Sequence, residues 1–154
     1  MNLTDQYLIF TLDEQRYAMG LSGVEKVIRA VEMNILPEGQ DLILGLINMQ
    51  GKIIPVINIR KHFYLPPSEL EISNRIIISK TSKLTVAFVV DTVEGVVEIP
   101  KDRVNEAQKI FPKLEKYIEG VGKLNENTVL IYNVENLLSS QDVNKLKDVV
   151  EEFN

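Results

Sequence analysis

The side chains that could carry acid–base or nucleophilic chemistry are few and scattered. His62 is the only histidine, and the chain has no cysteine. A nucleophilic site needs a base within hydrogen-bond reach of the nucleophile and a third group that orients the base, and the sequence around His62 supplies neither. The carboxylates of Glu94, Glu98, Asp102 and Glu106 lie close to Lys101 and Arg103, a mixture that is typical of a solvated face. We therefore predict no catalytic residue.

Metal and cofactor sites have equally little support. Zinc sites built from thiolates or imidazoles need several Cys or His residues, which this chain lacks. Gly120-Val121-Gly122 lacks the third glycine of a phosphate loop, and residues 123–134 read as a hairpin and not as a helix. We predict no metal and no cofactor. One alternative stays open, a small-ligand-binding or hydrolytic β-barrel protein that uses His62 and nearby carboxylates.

Composition narrows the fold class and the kinds of partner. The 154 residues suffice for one domain with a sizeable core. Valine and isoleucine together number 34 against four alanines, which favours sheet over helix. The net charge of −5 and the scattered basic residues argue against nucleic acid, and no apolar run approaches the roughly 20 residues of a membrane span. We expect a cytoplasmic protein with no nucleic-acid partner and no direct membrane insertion.

Short apolar segments separated by turn residues predict many strands. Residues 7–12 and 16–20 should form one hairpin, and residues 75–79 and 84–90 another. From residue 141 the apolar side chains recur every three or four positions, which predicts a C-terminal amphipathic helix over residues 141–154, capped by Ser139 or Ser140. The apolar positions of this helix are Val143, Leu146, Val149, Val150 and Phe153.

An internal repeat divides the chain. Residues 18–28 align with residues 87–97, which pairs Val24 with Val93, and residues 45–59 align with residues 120–134, which pairs Gly45 with Gly120. Leu65-Pro66-Pro67-Ser68 separates the two halves. We predict a single domain over residues 1–154 with pseudo-repeat halves 5–66 and 72–140. Each half should form a small β-barrel, and the two barrels should be stabilised by a shared apolar interface.

Several sequence blocks resemble the bacterial chemotaxis coupling proteins of the CheW family along nearly the whole chain. The most specific block is GLINMQGKIIPVINI over residues 45–59. The others are YLIFTL (7–12), YAM (17–19), VEKVI (24–28), LP (36–37) and FVVD (88–91).

This resemblance implies a mainly β fold, with two SH3-like five-stranded β-barrel subdomains packed together and a C-terminal helix. It also implies a non-enzymatic scaffold or adaptor of two-component chemotaxis signalling. Its partners would be the regulatory domain of the histidine kinase CheA and the cytoplasmic tip of the chemoreceptors (methyl-accepting chemotaxis proteins). Such a protein would be cytoplasmic and recruited to membrane-anchored receptor arrays. A related coupling protein for a non-chemotaxis kinase pathway stays open.

The resemblance also implies a receptor-binding groove between the barrels, whereas the kinase would bind strands at the barrel ends. The groove residues carried over position by position are Val24, Gln50, Ile76, Ala87, Val93 and Val96. Two positions depart from the family pattern, which usually has arginine in place of Gln50 and an acidic residue in place of Lys26. The change at residue 50 removes a charged group with several hydrogen-bond donors from a predicted contact turn.

Overall fold

A computed structural model describes residues 4–30, 33–35, 43–106, 118–136 and 138–152. Leu36-Pro37, Phe153 and the side chain of Glu106, all singled out above, lie outside the described part.

Within these ranges the chain forms twelve strands and two α-helices. The first six strands are β1 (Thr4–Leu12), β2 (Gln15–Gly20), β3 (Val24–Arg29), β4 (Asn34–Ile35), β5 (Ile43–Met49) and β6 (Lys52–Ile57). The helix α1 (Ile59–His62) follows. The next six strands are β7 (Arg75–Lys80), β8 (Thr85–Val90), β9 (Thr92–Pro100), β10 (Val104–Glu106), β11 (Ile118–Leu124) and β12 (Asn127–Tyr132). The helix α2 (Ser140–Glu152) comes last, and 3-10 turns cover Leu21–Gly23, Lys101–Arg103 and Val134–Asn136.

The strands form two sheets of six. Sheet 1 has the order β10-β11-β12-β2-β1-β9, and sheet 2 has the order β3-β7-β8-β6-β5-β4. The pairs β12/β2 and β6/β8 are parallel, and the other pairs are antiparallel. The predicted class, mainly β with a C-terminal helix, is confirmed. Each sheet has six strands, whereas the resemblance implies five per barrel, and the edge strands β4 and β10 have only two and three residues.

Each sheet takes strands from both predicted halves. Sheet 1 combines the hairpin β1–β2 with β9 to β12, and sheet 2 combines the hairpin β7–β8 with β3 to β6. When β1 to β6 are matched to β7 to β12, the two strand orders correspond one for one. The expectation that each half builds its own barrel is therefore wrong in one respect, since the leading hairpins are exchanged. The bounds of the halves, 5–66 and 72–140, stay a prediction.

Register shifts occur at matching positions of the two sheets. The pairing of β3 with β7 skips Glu25, and the pairing of β9 with β1 skips Glu94. Similarly, the pairing of β5 with β6 skips Leu44, and the pairing of β11 with β12 skips Glu119. A bulge of this kind bends the strand and changes which side chains face the core. The repeated Val-Glu dipeptide therefore marks a bulge in each sheet.

The apolar strands are buried on both faces. In β7, Ile76 and Ile78 belong to the core inside sheet 2, whereas Ile77 belongs to the core between the sheets. In β1, Ile9 faces the inside of sheet 1 and Phe10 faces the core between the sheets. Because successive side chains of a strand point to opposite faces, these strands are apolar throughout.

The core between the sheets, here called the inter-sheet core, contains an aromatic cluster. Its rings are Phe10, Tyr17, Phe63, Phe88 and Tyr132, whose neighbouring centroids lie 4.7 to 6.4 Å apart. Burying a large apolar side chain contributes roughly 2 kcal/mol, so the predicted shared interface is a main part of the core.

The C-terminal helix α2 begins with a reciprocal cap. The Asp142 backbone N–H donates to Ser139 Oγ at 3.1 Å, and the Ser139 backbone N–H donates to Asp142 Oδ2 at 3.1 Å. Val143 and Leu146 are buried in the inter-sheet core. The predicted helix and its cap at Ser139 are confirmed.

Candidate functional site

Three of the predicted groove residues are valines on two different sheets. Val24 begins β3 in sheet 2, and Val93 lies in β9 of sheet 1. Both are half-buried and pack against the inter-sheet core. Val96, three residues after Val93, is 48% exposed. Each sheet thus places a valine at the margin of the core that the sheets share, and β9 adds an exposed one.

The other three predicted residues lie in different surroundings. Ile76 and Ala87 have no exposed surface and belong together to the core inside sheet 2, so in this structure they support the sheet and do not contact the solvent. Gln50 is exposed in the turn between β5 and β6, where Gln50 and Gly51 have φ values of 54° and 84°. Positive φ at both central residues is the requirement of a tight hairpin turn. The structure therefore does not bring all six side chains to one exposed surface.

Val96 differs from its counterpart in the repeat. Val27 packs against the inter-sheet core, whereas Val96 is one of the exposed large hydrophobic residues of the chain. An isolated exposed valine is ordinary, but Val96 lies close in sequence to Val93 at the core margin. The structure therefore distinguishes Val96 from the valines of the core, which the sequence alone could not do.

An apolar groove on sheet 2 was missed by sequence reasoning. Its cavity of about 200 Å³ is lined on the apolar side by Met33, Ile35, Leu44, Ile59, Leu70 and Val89. Ile35 and Leu70 are 63% and 38% exposed. The signal available in the sequence was weak, because Leu44 lines the groove only through its place in a bulge and Ile35 lies in a strand of two residues.

Arg60 forms an ion-pair cluster beside this groove. Its Nη2 lies 2.9 Å from Asp13 Oδ1 and 2.9 Å from Asp91 Oδ1, and its Nη1 donates to the Pro66 carbonyl at 3.0 Å. The Arg60 side chain is 13% exposed. Burial lowers the pKa of Arg60, but the hydrogen bonds and the negative charges of the two carboxylates together raise it by more, so the guanidinium stays charged. Arg60 directly follows the 45–59 block and Asp91 ends the FVVD block, which was the signal available in the sequence.

The residues of the alternative hydrolytic site do not form a recognisable centre. His62 ends α1 and is half-buried. Glu94 pairs with Arg16 at 3.0 Å, and Glu98 and Asp102 are exposed. The described ranges hold no group of three His, Cys, Asp or Glu side chains arranged to bind a metal ion. In the same ranges, no helix has the length and apolar character needed to cross a membrane.

Comparison with known proteins gives one consistent family. The model of the CheW-like domain matches residues 6–142. The chemotaxis protein CheW of Thermotoga maritima is 27% identical over 133 residues, covering 86% of this chain and 87% of that protein. The chemotaxis protein CheW of Klebsiella aerogenes is 26% identical over 139 residues, covering 90% and 84%. The crystal structure of the scaffolding protein TtCheW from Thermoanaerobacter tengcongensis aligns with a TM-score of 0.79 at 26% identity, covering 90% of this chain and 94% of that one. The two-sheet fold and the family match together identify this chain as a member of the CheW-like family.

Proposed function

We propose that this chain is a non-enzymatic scaffold that couples chemoreceptors to a CheA-type histidine kinase at the cytoplasmic face of receptor arrays. Its membership of the CheW-like family supports this role. So does its similarity to proteins named chemotaxis protein CheW and to a structure named a scaffolding protein.

The exposure of Val96 is the observation that carries the receptor side of the proposal. A soluble domain with three apolar cores still leaves this valine 48% exposed on β9, close in sequence to Val93 at the margin of the inter-sheet core. An apolar margin between two packed sheets suits the apolar face of a partner helix. The chemoreceptor tip is a helical hairpin, which is the partner that the resemblance implies. Gln50, without the usual arginine, would make a neutral contact at most.

The groove on sheet 2 supports the kinase side of the proposal. Its exposed Ile35 and Leu70 offer an apolar surface next to the edge strand β4. A regulatory domain with the same fold could pack its strands end to end against this surface. Holding the receptor and the kinase together would let a receptor rearrangement shift the fraction of active kinase. Interfaces of moderate size suit such an exchangeable assembly.

One experiment with two readouts tests the proposal. Val96→Asp adds a charge at an exposed position, so it should weaken the affinity for receptor-containing membranes at least about tenfold. Co-sedimentation measures this loss. The same variant should still elute with a CheA regulatory domain in size-exclusion chromatography, because Val96 lies outside the sheet 2 groove.

Thr128→Asp is the matched control, since it places the same charge at an exposed strand position outside both surfaces. Receptor binding that survives in Val96→Asp would contradict the groove assignment. Absence of a wild-type complex with the kinase domain would contradict the scaffold itself.

A further inference from the structure

An acidic pocket on sheet 1 shares no lining residue with the groove on sheet 2. Its cavity of about 540 Å³ is lined by residues that include Asp5, Gln6, Tyr7, Leu21, Ser22 and Glu119. Asp5 and Tyr7 are two residues apart on β1, so their side chains share one face of the strand. Glu119 is the bulge residue of β11, displaced from the pairing ladder.

Tyr7 contributes a polar group from a buried side chain. The residue is only 7% exposed and packs in the core inside sheet 1, yet it lines the pocket. No hydrogen bond among the described residues involves its hydroxyl, and that oxygen is not one of the fully buried side-chain atoms that lack a partner. Burial raises the pKa of Tyr7, and the carboxylates of Asp5 and Glu119 raise it further. The hydroxyl therefore stays neutral in a pocket that both carboxylates also line.

The two carboxylates have no cation in the described part of the chain. The ion pairs found there join Arg16 to Glu94 and Arg60 to Asp13 and Asp91, and none involves Asp5 or Glu119. The pKa of Glu119 is raised, first by burial and then by the charge of Asp5. Glu119 and Asp5 are both exposed, so ionising Glu119 at neutral pH costs only a little free energy.

The fold itself does not require these acids. At the equivalent positions of the other half, Leu44 corresponds to Glu119, Asn74 to Asp5 and Ile76 to Tyr7. The same bulge and the same strand thus form with neutral side chains, so the acidity of the pocket on sheet 1 is a separate feature of this chain.

We propose that this pocket receives a basic side chain, lysine or arginine, from a protein partner. The carboxylates of Asp5 and Glu119 and the Tyr7 hydroxyl can accept the several N–H donors of such a group. A divalent cation suits the site less, because calcium takes six to eight oxygen ligands and the pocket offers two carboxylates. This contact would be additional to the valine margin and to the sheet 2 groove.

Titration of the full chain with a short peptide tests the proposal without receptor or kinase, so its outcome is independent of the scaffold function. The probe is a blocked Gly-Ser peptide with one lysine, and the same peptide with acetyl-lysine is its neutral control. We expect saturable shifts of the backbone NMR signals of Asp5, Tyr7 and Glu119 with the lysine peptide alone, weakened by added salt.

Glu119→Gln should weaken this binding about tenfold, and Tyr7→Phe, which keeps the ring, about threefold. Glu126→Gln removes an exposed carboxylate in the turn between β11 and β12 and should leave binding unchanged. Equal shifts with the acetyl-lysine peptide, no shifts with either peptide, or binding that survives Glu119→Gln would overturn the proposal. Saturable shifts with Mg²⁺ or Ca²⁺ in place of the peptide would assign the pocket to a metal ion and overturn it as well.

Discussion

Two contacts at matching places of the repeat tie the sheets together, and they differ in kind. At the tip of the hairpin β1–β2 in sheet 1, Asp13 pairs with Arg60, which follows β6 of sheet 2. At the tip of the hairpin β7–β8 in sheet 2, Ser82 Oγ donates to Glu135 Oε2 at 2.8 Å. Glu135 follows β12 of sheet 1. Each exchanged hairpin is thus held by a side chain that follows the last strand of its own half.

The two contacts differ in charge and in burial. Arg60 is mostly buried and also binds Asp91, which joins β8 to β9. Glu135 is exposed, and its carboxylate accepts hydrogen bonds from the hydroxyl and the backbone N–H of Ser82. Ion pairs at the surface contribute little, whereas removing one member of a buried pair is costly. The topology therefore determines where the two contacts lie, and burial determines how much each contact contributes to the stability of the fold.

The largest expected effect is that of Arg60→Ala. This change leaves Asp13 and Asp91 side by side without a cation, and it should lower the free energy of unfolding by about 2 to 3 kcal/mol. The value stays below the range of fully buried pairs because both carboxylates are partly exposed. Urea unfolding measures it, with Arg29→Ala, the loss of an exposed arginine of β3, as the control. If Arg60→Ala lowered the free energy of unfolding by less than about 1 kcal/mol, the two contacts would not differ in strength as proposed.

Glu135→Ala should have a smaller effect, about 0.5 to 1 kcal/mol in the same urea experiment. The variant loses hydrogen bonds at an exposed site, where water can replace the carboxylate. Glu135→Gln, which keeps an acceptor for Ser82, serves as the control and should recover most of the loss. If Glu135→Ala lowered the free energy of unfolding as much as Arg60→Ala, burial would not explain the difference between the two contacts.

Glu119→Gln tests a second difference between the sheets. The bulge residue of β11 in sheet 1 is Glu119, whereas the matching residue of β5 in sheet 2 is Leu44. The folded state raises the pKa of Glu119 above its ordinary 4.5, so folding favours the protonated carboxyl. Wild-type stability should therefore fall as the pH rises from 4.5 through the raised pKa, and the full cost is present at pH 7. The variant should gain under about 1 kcal/mol at pH 7.

The gain should disappear well below pH 4.5, where the wild-type carboxyl is protonated in both the folded and unfolded states. Thermal unfolding of both proteins across pH 3 to 8 measures the difference. A pH-independent gain would mean that the side-chain shape, and not the charge, sets the cost.

Local patterns predicted the elements well, but not their partners. The hairpins, the α2 helix and its cap at Ser139 follow from neighbouring residues, which interact within one turn or strand pair. The exchange of the hairpins depends on contacts such as Val24 with Ser79, which are far apart in the chain. No local pattern encodes such pairings, and the two-residue strand β4 is too short to show a period.

The resemblance names candidate groove residues but does not say which of them are exposed, and their role stays a prediction. Ile76 and Val96 are both apolar, yet Ile76 is fully buried and Val96 is half exposed. The same bulge occurs at Glu25 in β3 and at Glu94 in β9, yet Val27 packs against the inter-sheet core and Val96 is exposed. The strand pattern therefore does not decide which of the two is exposed. The Arg60 cluster joins residues 31 and 47 positions apart, which again only the fold brings together.

The exchanged hairpins also bear on how a signal could cross the molecule. Four strand pairings, β1 with β9, β2 with β12, β3 with β7 and β6 with β8, run between the predicted halves. A hinge needs a boundary that few contacts cross, and the Pro66-Pro67 connection does not provide one, because both sides are woven into the same sheets. A partner that displaces one sheet should therefore move the whole domain as a rigid body. For the same reason, the chain should unfold in a single cooperative transition.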